Sequence, residues 1–275
     1  MATDNNSYFT NAVPSGNLIF DGNIFRLDAT PKYPLGFGVQ RADGSRYRYS
    51  QFGAVTNRGV LVSQDISETS IPDTDNGMIA PASAADTTWG TIGSRKIEIT
   101  MAGVIANQFA GAYLCTTDDV GEGYTYRIKG NTATGTGGAV STTYILELYE
   151  ALVVAIDATT DYSIIGLPWN DLEIATVATD DIVSGVSMRV SAAATPFQFV
   201  QTAGICTVLQ DVHAPAVGGP VTLSLLIAGA VKAYWSEGSI GITDDEVKAA
   251  QPVLGYCCDV GDSTGHSVIM LNLPW

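Results

Sequence analysis

Histidines, the residues most often used in acid–base catalysis, are few in this sequence, and its many acidic residues are scattered along the chain. Its two histidines, His213 and His266, lie in separate strand and turn contexts, whereas an enzyme needs several such groups that converge. Asp262 and Ser263 stand close to His266, so a hydrolase that uses His266 and Asp262 is one alternative. The segment from Gly261 is more typical of a turn between two strands. The sequence therefore predicts a protein that is not an enzyme and has no catalytic residues.

Metal and cofactor sites are also predicted to be absent. The run 73–77 begins like a calcium-binding EF-hand loop, but Ala84 occupies the position where a bidentate glutamate is required. The acidic runs 180–181 and 244–246 are typical of solvated turns, with a metal at a subunit interface as the alternative. The four cysteines, at positions 115, 206, 257 and 258, lack the spacing of a zinc site and are expected to be reduced and buried. We expect no metal site and no cofactor.

The distribution of charge argues against nucleic acid as a partner. The 275 residues include 13 basic and 28 acidic side chains, for a formal net charge of −15. Residues 1–58 hold six basic and four acidic residues, which leaves seven basic and 24 acidic residues in the remainder. A body this acidic repels phosphates. The N-terminal part, with Arg41, Arg46 and Arg48, is better suited to contact an acidic protein surface.

No segment of the sequence predicts secretion or membrane insertion. Residues 1–6 lack a cationic segment followed by an apolar stretch, which a secretory signal would contain. The longest apolar runs, near 151–156 and 221–230, are shorter than the roughly 20 residues that cross a bilayer. We therefore expect a protein that is made in the cytoplasm and has no membrane partner.

Alternation of apolar and polar residues predicts a fold made mostly of strands. The segments 96–101 and 124–129 show this alternation, and a low-complexity stretch after 129 is expected to lead as a hairpin into a strand at 143–149. The apolar run 151–156 is predicted as a strand buried on both faces. Further strands are expected at 186–190, 197–202, 206–212, 221–228, 231–235 and 267–273, while only 102–110 and 244–250 have helical spacing. The predicted fold class is all-β, an antiparallel β-sandwich or barrel body with an extended N-terminal arm and little helix.

The chain is predicted to divide into three parts. Residues 1–90, with many turn formers and isolated aromatic residues, are expected to form an extended N-terminal arm and irregular segment that orders by docking on its own body or on a neighbour. Irregular loops packed on the same domain are the alternative for residues 1–58. A β domain is expected at 91–180 and a second β subdomain at 181–275, either separate from the first or continuous with it.

Several segments between residues 95 and 275 share a pattern of turn glycines and strand residues. They are MAGVIANQFAGAY at 101–113, GEGYTYRIKGN at 121–131, LELYEALVVA at 146–155, FVQTAG at 199–204, CTVL at 206–209 and GYCCDVGDS at 255–263. The first three resemble structural proteins encoded by tailed bacteriophages, and the others resemble the small β modules of phage capsid decoration proteins. The resemblance implies a fold and a virion context, but no active site.

The resemblance implies a specific role. A decoration, or cement, protein binds in many copies to the outside of an icosahedral capsid, often as a homotrimer, and stabilises the assembled shell because it binds only that state. The implied partners are the phage major capsid protein and other copies of this chain. The implied location is the capsid exterior of the virion, after synthesis in the host cytoplasm. Arg41, Arg46 and Arg48 are the candidate capsid contacts.

Two other functions are alternatives. One is a different virion component, such as a tail, adaptor or vertex protein, which differs from a decoration protein in its copy number. The other is a carbohydrate- or receptor-binding β module in which tryptophan side chains stack on sugars. The four tryptophans, at positions 89, 169, 235 and 275, are far apart in the sequence, which is more typical of core or interface positions.

Overall fold

The structure is a computed structural model that describes residues 22–64, 88–100, 103–136, 143–176, 182–234, 252–262 and 265–274. These residues form strands, turns and irregular segments, and no helix occurs among them. The strands are β1 (Gly38–Gln40), β2 (Arg46–Gln51), β3 (Leu61–Gln64), β4 (Lys96–Thr100), β5 (Tyr113–Asp118), β6 (Thr125–Asn131), β7 (Thr143–Leu148), β8 (Asp161–Ile165), β9 (Leu172–Ile174), β10 (Ile182–Ser187), β11 (Phe197–Leu209), β12 (Pro220–Leu223), β13 (Val231–Ala233), β14 (Gly255–Asp259) and β15 (His266–Asn272). All ladders between them are antiparallel. The predicted all-β, antiparallel fold class is confirmed.

Eight of the 15 strands overlap predicted ones, namely β4, β6, β7, β10, β11, β12, β13 and β15, whereas the other seven lie outside every predicted strand. The expected hairpin is present as β6 paired with β7, and the last predicted strand is β15. Two predicted strands, 197–202 and 206–212, are one strand of 13 residues, β11. The helical spacing at 102–110 was misleading, because residues 103–110 form a series of turns.

The strands belong to two compact units. The five-stranded unit lies within residues 66–167 and contains β4 to β8, whereas the ten-stranded unit lies within 16–65 and 168–275 and contains the others. The sequence placed the boundaries near residues 90 and 180. In the structure the chain leaves the ten-stranded unit near 65 and re-enters it near 168, because β3 pairs with both β9 and β10.

The five-stranded unit is built around the buried faces of its strands. Its sheet has the order β4-β7-β6-β5-β8. Side chains at alternate positions, such as Ile97 and Ile99 of β4 or Tyr126 and Ile128 of β6, join one hydrophobic core. Each large apolar side chain of this kind stabilises the fold by about 1.5–3 kcal/mol when it is fully buried. The alternation recognised in the sequence is therefore the pattern that holds this unit together.

Residues 151–156, predicted as a strand buried on both faces, do not form a strand. Leu152 and Ile156 are buried, but Val153 between them is 58% exposed. The backbone N–H groups of Leu152 and Ile156 donate to the carbonyl oxygens of Ser94 and Gly90, which lie in a loop rather than in a strand. The prediction was wrong because an apolar run carries no sign of whether a neighbouring strand is available on each side.

The ten-stranded unit contains a single sheet with the main order β13-β12-β14-β15-β11-β10-β3-β9, and β2 pairs with both β1 and β11. β11 pairs with β2 and β10 through its first half and with β15 through its second half. One face of this sheet packs a core that includes Val208, Val221 and Ile269. The N-terminal and C-terminal parts of the chain thus meet on β11.

Residues 22–64, predicted to belong to an extended arm, instead fold into the ten-stranded unit. β2 reads Arg-Tyr-Arg-Tyr-Ser-Gln, and its tyrosines, Tyr47 and Tyr49, are buried. Tyr49 packs edge-on against Tyr33 and Phe199, with ring centroids 5.3 Å and 5.1 Å away. The aromatic residues of this segment therefore order by docking on their own body, because β11 supplies the apolar surface that the segment lacks.

Asp28 anchors this segment through three hydrogen bonds. Arg26 donates to its carboxylate from Nε at 2.6 Å and from Nη2 at 2.8 Å, and the Tyr49 hydroxyl donates at 2.6 Å. Burial by itself raises the pKa of Asp28, but the hydrogen bonds from Arg26 and Tyr49 outweigh burial and hold the pKa below its ordinary value. The ionised carboxylate is therefore the form that stabilises the fold.

None of the described segments is a helix long and apolar enough to span a membrane.

We predict that Asp28→Asn lowers the free energy of unfolding at neutral pH by about 1–3 kcal/mol, because the charged acceptor of three hydrogen bonds is lost. A carboxyl with a lowered folded-state pKa stabilises above its unfolded pKa, and that contribution disappears as pH falls through the folded pKa. The difference between the two proteins should therefore shrink as the pH falls below 3.8, the ordinary pKa of this group. Urea unfolding across pH measures this, with the exposed Asp262→Asn as a control. A difference that stays constant with pH would contradict the prediction.

Candidate functional site

One face of the ten-stranded sheet carries large apolar side chains that are open to solvent. Ile205 of β11 lies directly opposite Met270 of β15, and Met270 lies directly opposite Tyr256 of β14. These side chains are 62%, 50% and 54% exposed, respectively. Directly paired residues point to the same face of a sheet. The three therefore form a continuous band across three strands, which we call the apolar row.

The apolar row is the outer side of strands whose inner side is core. Ile269 and Leu271, the sequence neighbours of Met270, are buried, as are Cys206 beside Ile205 and Cys257 beside Tyr256. An antiparallel sheet with one solvated face usually alternates apolar and polar residues. Here both faces are apolar at these positions. Contiguous exposed apolar side chains of this kind are typical of a surface that another molecule covers.

A pocket of about 600 Å³ adjoins the apolar row at Ile205. Its walls come from separate parts of the ten-stranded unit: the segment at Ile24 and Phe25, the β1–β2 hairpin, the turn before β3, and strands β10, β11 and β15. The full lining is Ile24, Phe25, Arg41, Tyr47, Arg58, Gly59, Val186, Ser187, Met188, Gln201, Ile205, Cys206, Thr207 and His266. Ile205 thus belongs both to the pocket and to the apolar row.

The pocket lies where β11 leaves β10. The register between these strands contains two pairs, Val186 with Gln201 and Ser187 with Val200. On the same edge of β11, the Leu209 N–H donates to the Gly59 carbonyl. Between these points the Gln201 side chain donates to the carbonyls of Ala203 and Ile205, at 3.0 Å each. The edge of β11 is therefore partly satisfied by its own side chain, and space opens beside it.

The pocket is basic although the protein is acidic. Arg41, Arg58 and His266 line it, and no acidic side chain is among the described residues that do so. The Arg41 guanidinium lies 5.4 Å from the centre of the Tyr47 ring. Asp43 is the charged neighbour of Arg41 in the hairpin turn, and hydrogen bonds from Ser45, with a smaller contribution from Arg41, lower its pKa. No described acidic residue forms a salt bridge with Arg41 or Arg58.

A glycine shapes the wall of the pocket beside His266. Gly59 has a φ of 66°, in the left-handed region that favours glycine. A Cβ atom at this position would lie 3.1 Å from Cδ2 of the His266 ring and 3.1 Å from the Thr207 carbonyl oxygen. The turn before β3 can therefore approach His266 closely only because residue 59 has no side chain.

The three arginines singled out in the sequence have different surroundings. Arg46 donates from Nη2 to the Leu273 carbonyl at 3.2 Å. Arg48 donates from Nη1 to the Gly36 carbonyl at 3.0 Å and lies over the ring of Trp169. Both are half-buried, whereas Arg41 is exposed at the pocket. Arg46 and Arg48 thus support the fold, and of the three only Arg41 is placed in the pocket.

The turn predicted from Gly261 onward contains the spacing Gly-x-Ser-x-Gly, at residues 261–265. In α/β-hydrolases this motif links a strand to a helix and presents the serine as a nucleophile. Here the segment connects the antiparallel strands β14 and β15, and the Gly265 N–H donates to the Asp262 carbonyl. Ser263 lies outside the described residues. The chain context is that of a hairpin rather than of a nucleophile elbow.

A second Ser-His-Asp group occurs at Asp211, His213 and Ser224. The buried Asp211 carboxylate accepts a hydrogen bond from the Ser224 hydroxyl at 2.7 Å and lies 3.7 Å from Nδ1 of His213. In a catalytic triad the imidazole stands between serine and carboxylate. Here the carboxylate stands between the other two. Ser224 also accepts hydrogen bonds from the N–H groups of Leu226 and Ile227, so this group organises a turn.

Several sequence features fall outside the described residues, namely the EF-hand-like run 73–77, the acidic runs 180–181 and 244–246, Trp235 and Trp275. Of the other tryptophans, Trp169 is buried and Trp89 is half-buried.

In the described part of the chain no three His, Cys, Asp or Glu side chains form a group able to hold a metal ion. The four cysteines are free thiols; two are buried, Cys115 is half-buried and Cys258 is exposed.

Comparison of the chain with protein-family models, with curated proteins and with solved structures gave no match. The similarity to phage structural proteins seen in segments of residues 95–275 therefore stays a prediction.

We predict that Cys258 is the fast-reacting thiol of the native protein. Burial, with a smaller contribution from Cys258, raises the pKa of Cys206 to about 12, and burial raises the pKa of Cys257. Because the thiolate is the reactive form, DTNB at about pH 8 should modify Cys258 first and all four cysteines only after unfolding. Cys258→Ser should abolish the fast phase, and Cys206→Ser should leave it intact. A fast phase that survives in Cys258→Ser would contradict the assignment.

Proposed function

We propose that this protein is a structural component of a tailed-bacteriophage virion, which binds the assembled icosahedral capsid and stabilises it as a decoration, or cement, protein. In this proposal its partners are the major capsid protein and other copies of itself in a homotrimer. It acts on the capsid exterior after synthesis in the host cytoplasm. It is not an enzyme, and neither nucleic acid nor a membrane is a partner.

The observation that carries the proposal is the apolar row. Ile205, Met270 and Tyr256 are paired across β11, β15 and β14, and their side chains are exposed to solvent on one face of the sheet. A chain whose role is to cover another protein needs such a face, because burial of apolar area supplies most of the free energy of association. The virion context comes from the similarity of sequence segments.

The mechanism in this proposal is thermodynamic. A protein that binds the assembled shell but not the free subunits stabilises the shell by mass action. Each contact can be weak, because many copies act together and a trimer engages several sites at once. A rigid sheet suits this role, since little conformational entropy is lost when a preformed face binds.

Arg41 is the capsid-contact candidate that the geometry favours. Its guanidinium is exposed at the pocket that adjoins the apolar row. The side chains of Arg46 and Arg48 instead donate hydrogen bonds to backbone carbonyls of the same unit. The contact surface that we propose therefore consists of the apolar row and the pocket, with Arg41 at its edge.

The alternative functions require either a different copy number or a different kind of surface. A tail, adaptor or vertex protein would use the same surface, so only copy number separates it from a decoration protein. A carbohydrate-binding module requires clustered exposed aromatic rings. Trp169 is buried, and no observation on the described residues favours that function.

The first experiment is the copy number of the protein in purified virions, measured by quantitative mass spectrometry against the major capsid protein. We expect a ratio on the order of one copy per capsid subunit, because a decoration protein covers the whole shell. A handful of copies per virion would indicate a tail, adaptor or vertex component. Complete absence from the virion would overturn the proposal.

We predict that Met270→Asn weakens binding to purified capsid shells by about tenfold or more, since an apolar side chain worth about 1.5–3 kcal/mol in the interface is lost. The matched control is Ile165→Asn, an exposed apolar residue of β8 in the five-stranded unit. The control should bind shells like the parent protein. Co-sedimentation with shells measures both, and circular dichroism verifies that each variant is folded. If Ile165→Asn weakened shell binding and Met270→Asn did not, the interface would lie in the five-stranded unit, and the role of the apolar row would be contradicted.

A further inference from the structure

The pocket beside Ile205 combines basic and apolar side chains. It places two arginines and a histidine together in a chain with a net charge of −15, and its described lining contains no acidic residue. Its lining also contains apolar side chains, among them Ile24, Phe25 and Met188, beside the polar Ser187, Gln201 and Thr207. A ligand that satisfies both properties has an anionic group and an apolar part next to it.

The two arginines suit a carboxylate or a phosphate as the anionic group, because the planar guanidinium offers a fork of N–H donors that matches the oxygens of both. The charge of the rest of the protein favours the carboxylate. A polyanion such as nucleic acid also carries anionic groups, but the acidic body repels an extended phosphate chain. An isolated carboxylate experiences this repulsion least.

The size and position of the pocket favour a protein segment as the source. Its volume of about 600 Å³ is within the range of ordinary ligand sites, roughly 300–1,000 Å³. Ile205 belongs to both the pocket and the apolar row, so a chain seated in the pocket continues directly onto exposed apolar surface. A free small molecule would leave that surface uncovered.

We propose that the pocket binds an aspartate or glutamate side chain that is flanked by apolar residues in an exposed segment of a partner protein. The carboxylate lies at the guanidinium groups of Arg41 and Arg58, and a flanking apolar side chain packs on Ile205. The proposal deepens the proposed function, on which it rests for the identity of the partner. The site itself needs only the chemistry of the segment and is tested without a capsid.

The test uses the full chain and the peptide Leu-Asp-Phe-amide with a fluorophore on its N-terminus, and Leu-Asn-Phe-amide with the same fluorophore is the counterpart without the carboxylate. Fluorescence anisotropy should show that the Asp peptide binds at least about fivefold more tightly than the Asn peptide, because only the former makes a charge-assisted hydrogen bond. Arg41→Gln and Arg58→Gln should each reduce the affinity for the Asp peptide towards that for the Asn peptide. Both arginine side chains are exposed, and circular dichroism checks that the variants remain folded.

Arg95→Gln is the matched control, because Arg95 is an exposed arginine of the five-stranded unit. It should bind the Asp peptide like the parent chain. Equal binding of the two peptides, or an equal loss in Arg95→Gln, would overturn the proposal. Displacement of the peptide by inorganic phosphate at equal concentration would also overturn it, since the pocket would then be a general anion site.

The peptide test and the capsid test fail independently. If the peptide does not bind but Met270→Asn still loses shell binding, the pocket proposal is refuted and the proposed function stands. If the peptide binds as expected but the protein is absent from virions, the capsid role is refuted and the pocket stands.

Discussion

The hydrogen-bond ladder of β11 is the interaction on which the ten-stranded sheet depends. This strand changes partners along its length, from β2 and β10 to β15, and so joins the N-terminal strands to the C-terminal ones. The register with β2 shifts between Gln201 and Ala203, and Gly204 follows with a φ of 94°. A Cβ atom at Gly204 would lie 2.6 Å from Oγ of Ser45. The change of partner therefore requires a glycine at the point where the β1–β2 hairpin crosses the strand.

The same change of partner produces the candidate site. After Gln201, β11 is free of β10, and its outward side chains have no neighbouring strand to pack against on that edge. Ile205 stands at this point, exposed on one side to the pocket and on the other to the apolar row. The pocket therefore lies where β11 leaves β10, and Ile205 joins it to the apolar row that continues on β15 and β14.

Local alternation predicted β4 and β6, because a half-buried strand shows its burial pattern directly in the sequence, whereas seven of the 15 strands lie outside every predicted one. The all-β class and the β6–β7 hairpin followed from it. The segment 46–51 alternates in the same way, Arg-Tyr-Arg-Tyr-Ser-Gln, and this signal for β2 was overlooked among the irregular residues around it. The run 151–156 gave the opposite error, since hydrophobicity alone does not reveal which backbone groups find a strand partner. Nor could the sequence show that 197–209 is continuous, because Gly204 is also typical of a break.

The candidate site was beyond sequence reasoning for a different reason. Its basic side chains, Arg41, Arg58 and His266, are separated by up to 225 positions in the sequence (266 minus 41). Only the pairing of β2 and β15 with β11, and of β3 with β10, brings them to one unit. The excess of basic residues in positions 1–58 was visible, and it favoured an acidic protein partner. That excess predicted that the contact surface is positively charged, but not where in the fold the surface lies.

The distribution of charge also determines what kind of partner suits this surface. At physiological ionic strength, screening limits charge interactions to about 8 Å, so a carboxylate at the pocket experiences Arg41 and Arg58 more strongly than the acidic residues farther away. A partner with a broad acidic surface would still bring many like charges close to this protein. The apolar row offsets that cost without adding charge, because burial of its side chains is favourable whatever the net charge of the partner. A surface that combines the two therefore selects an isolated acidic residue within an apolar segment over a uniformly acidic one.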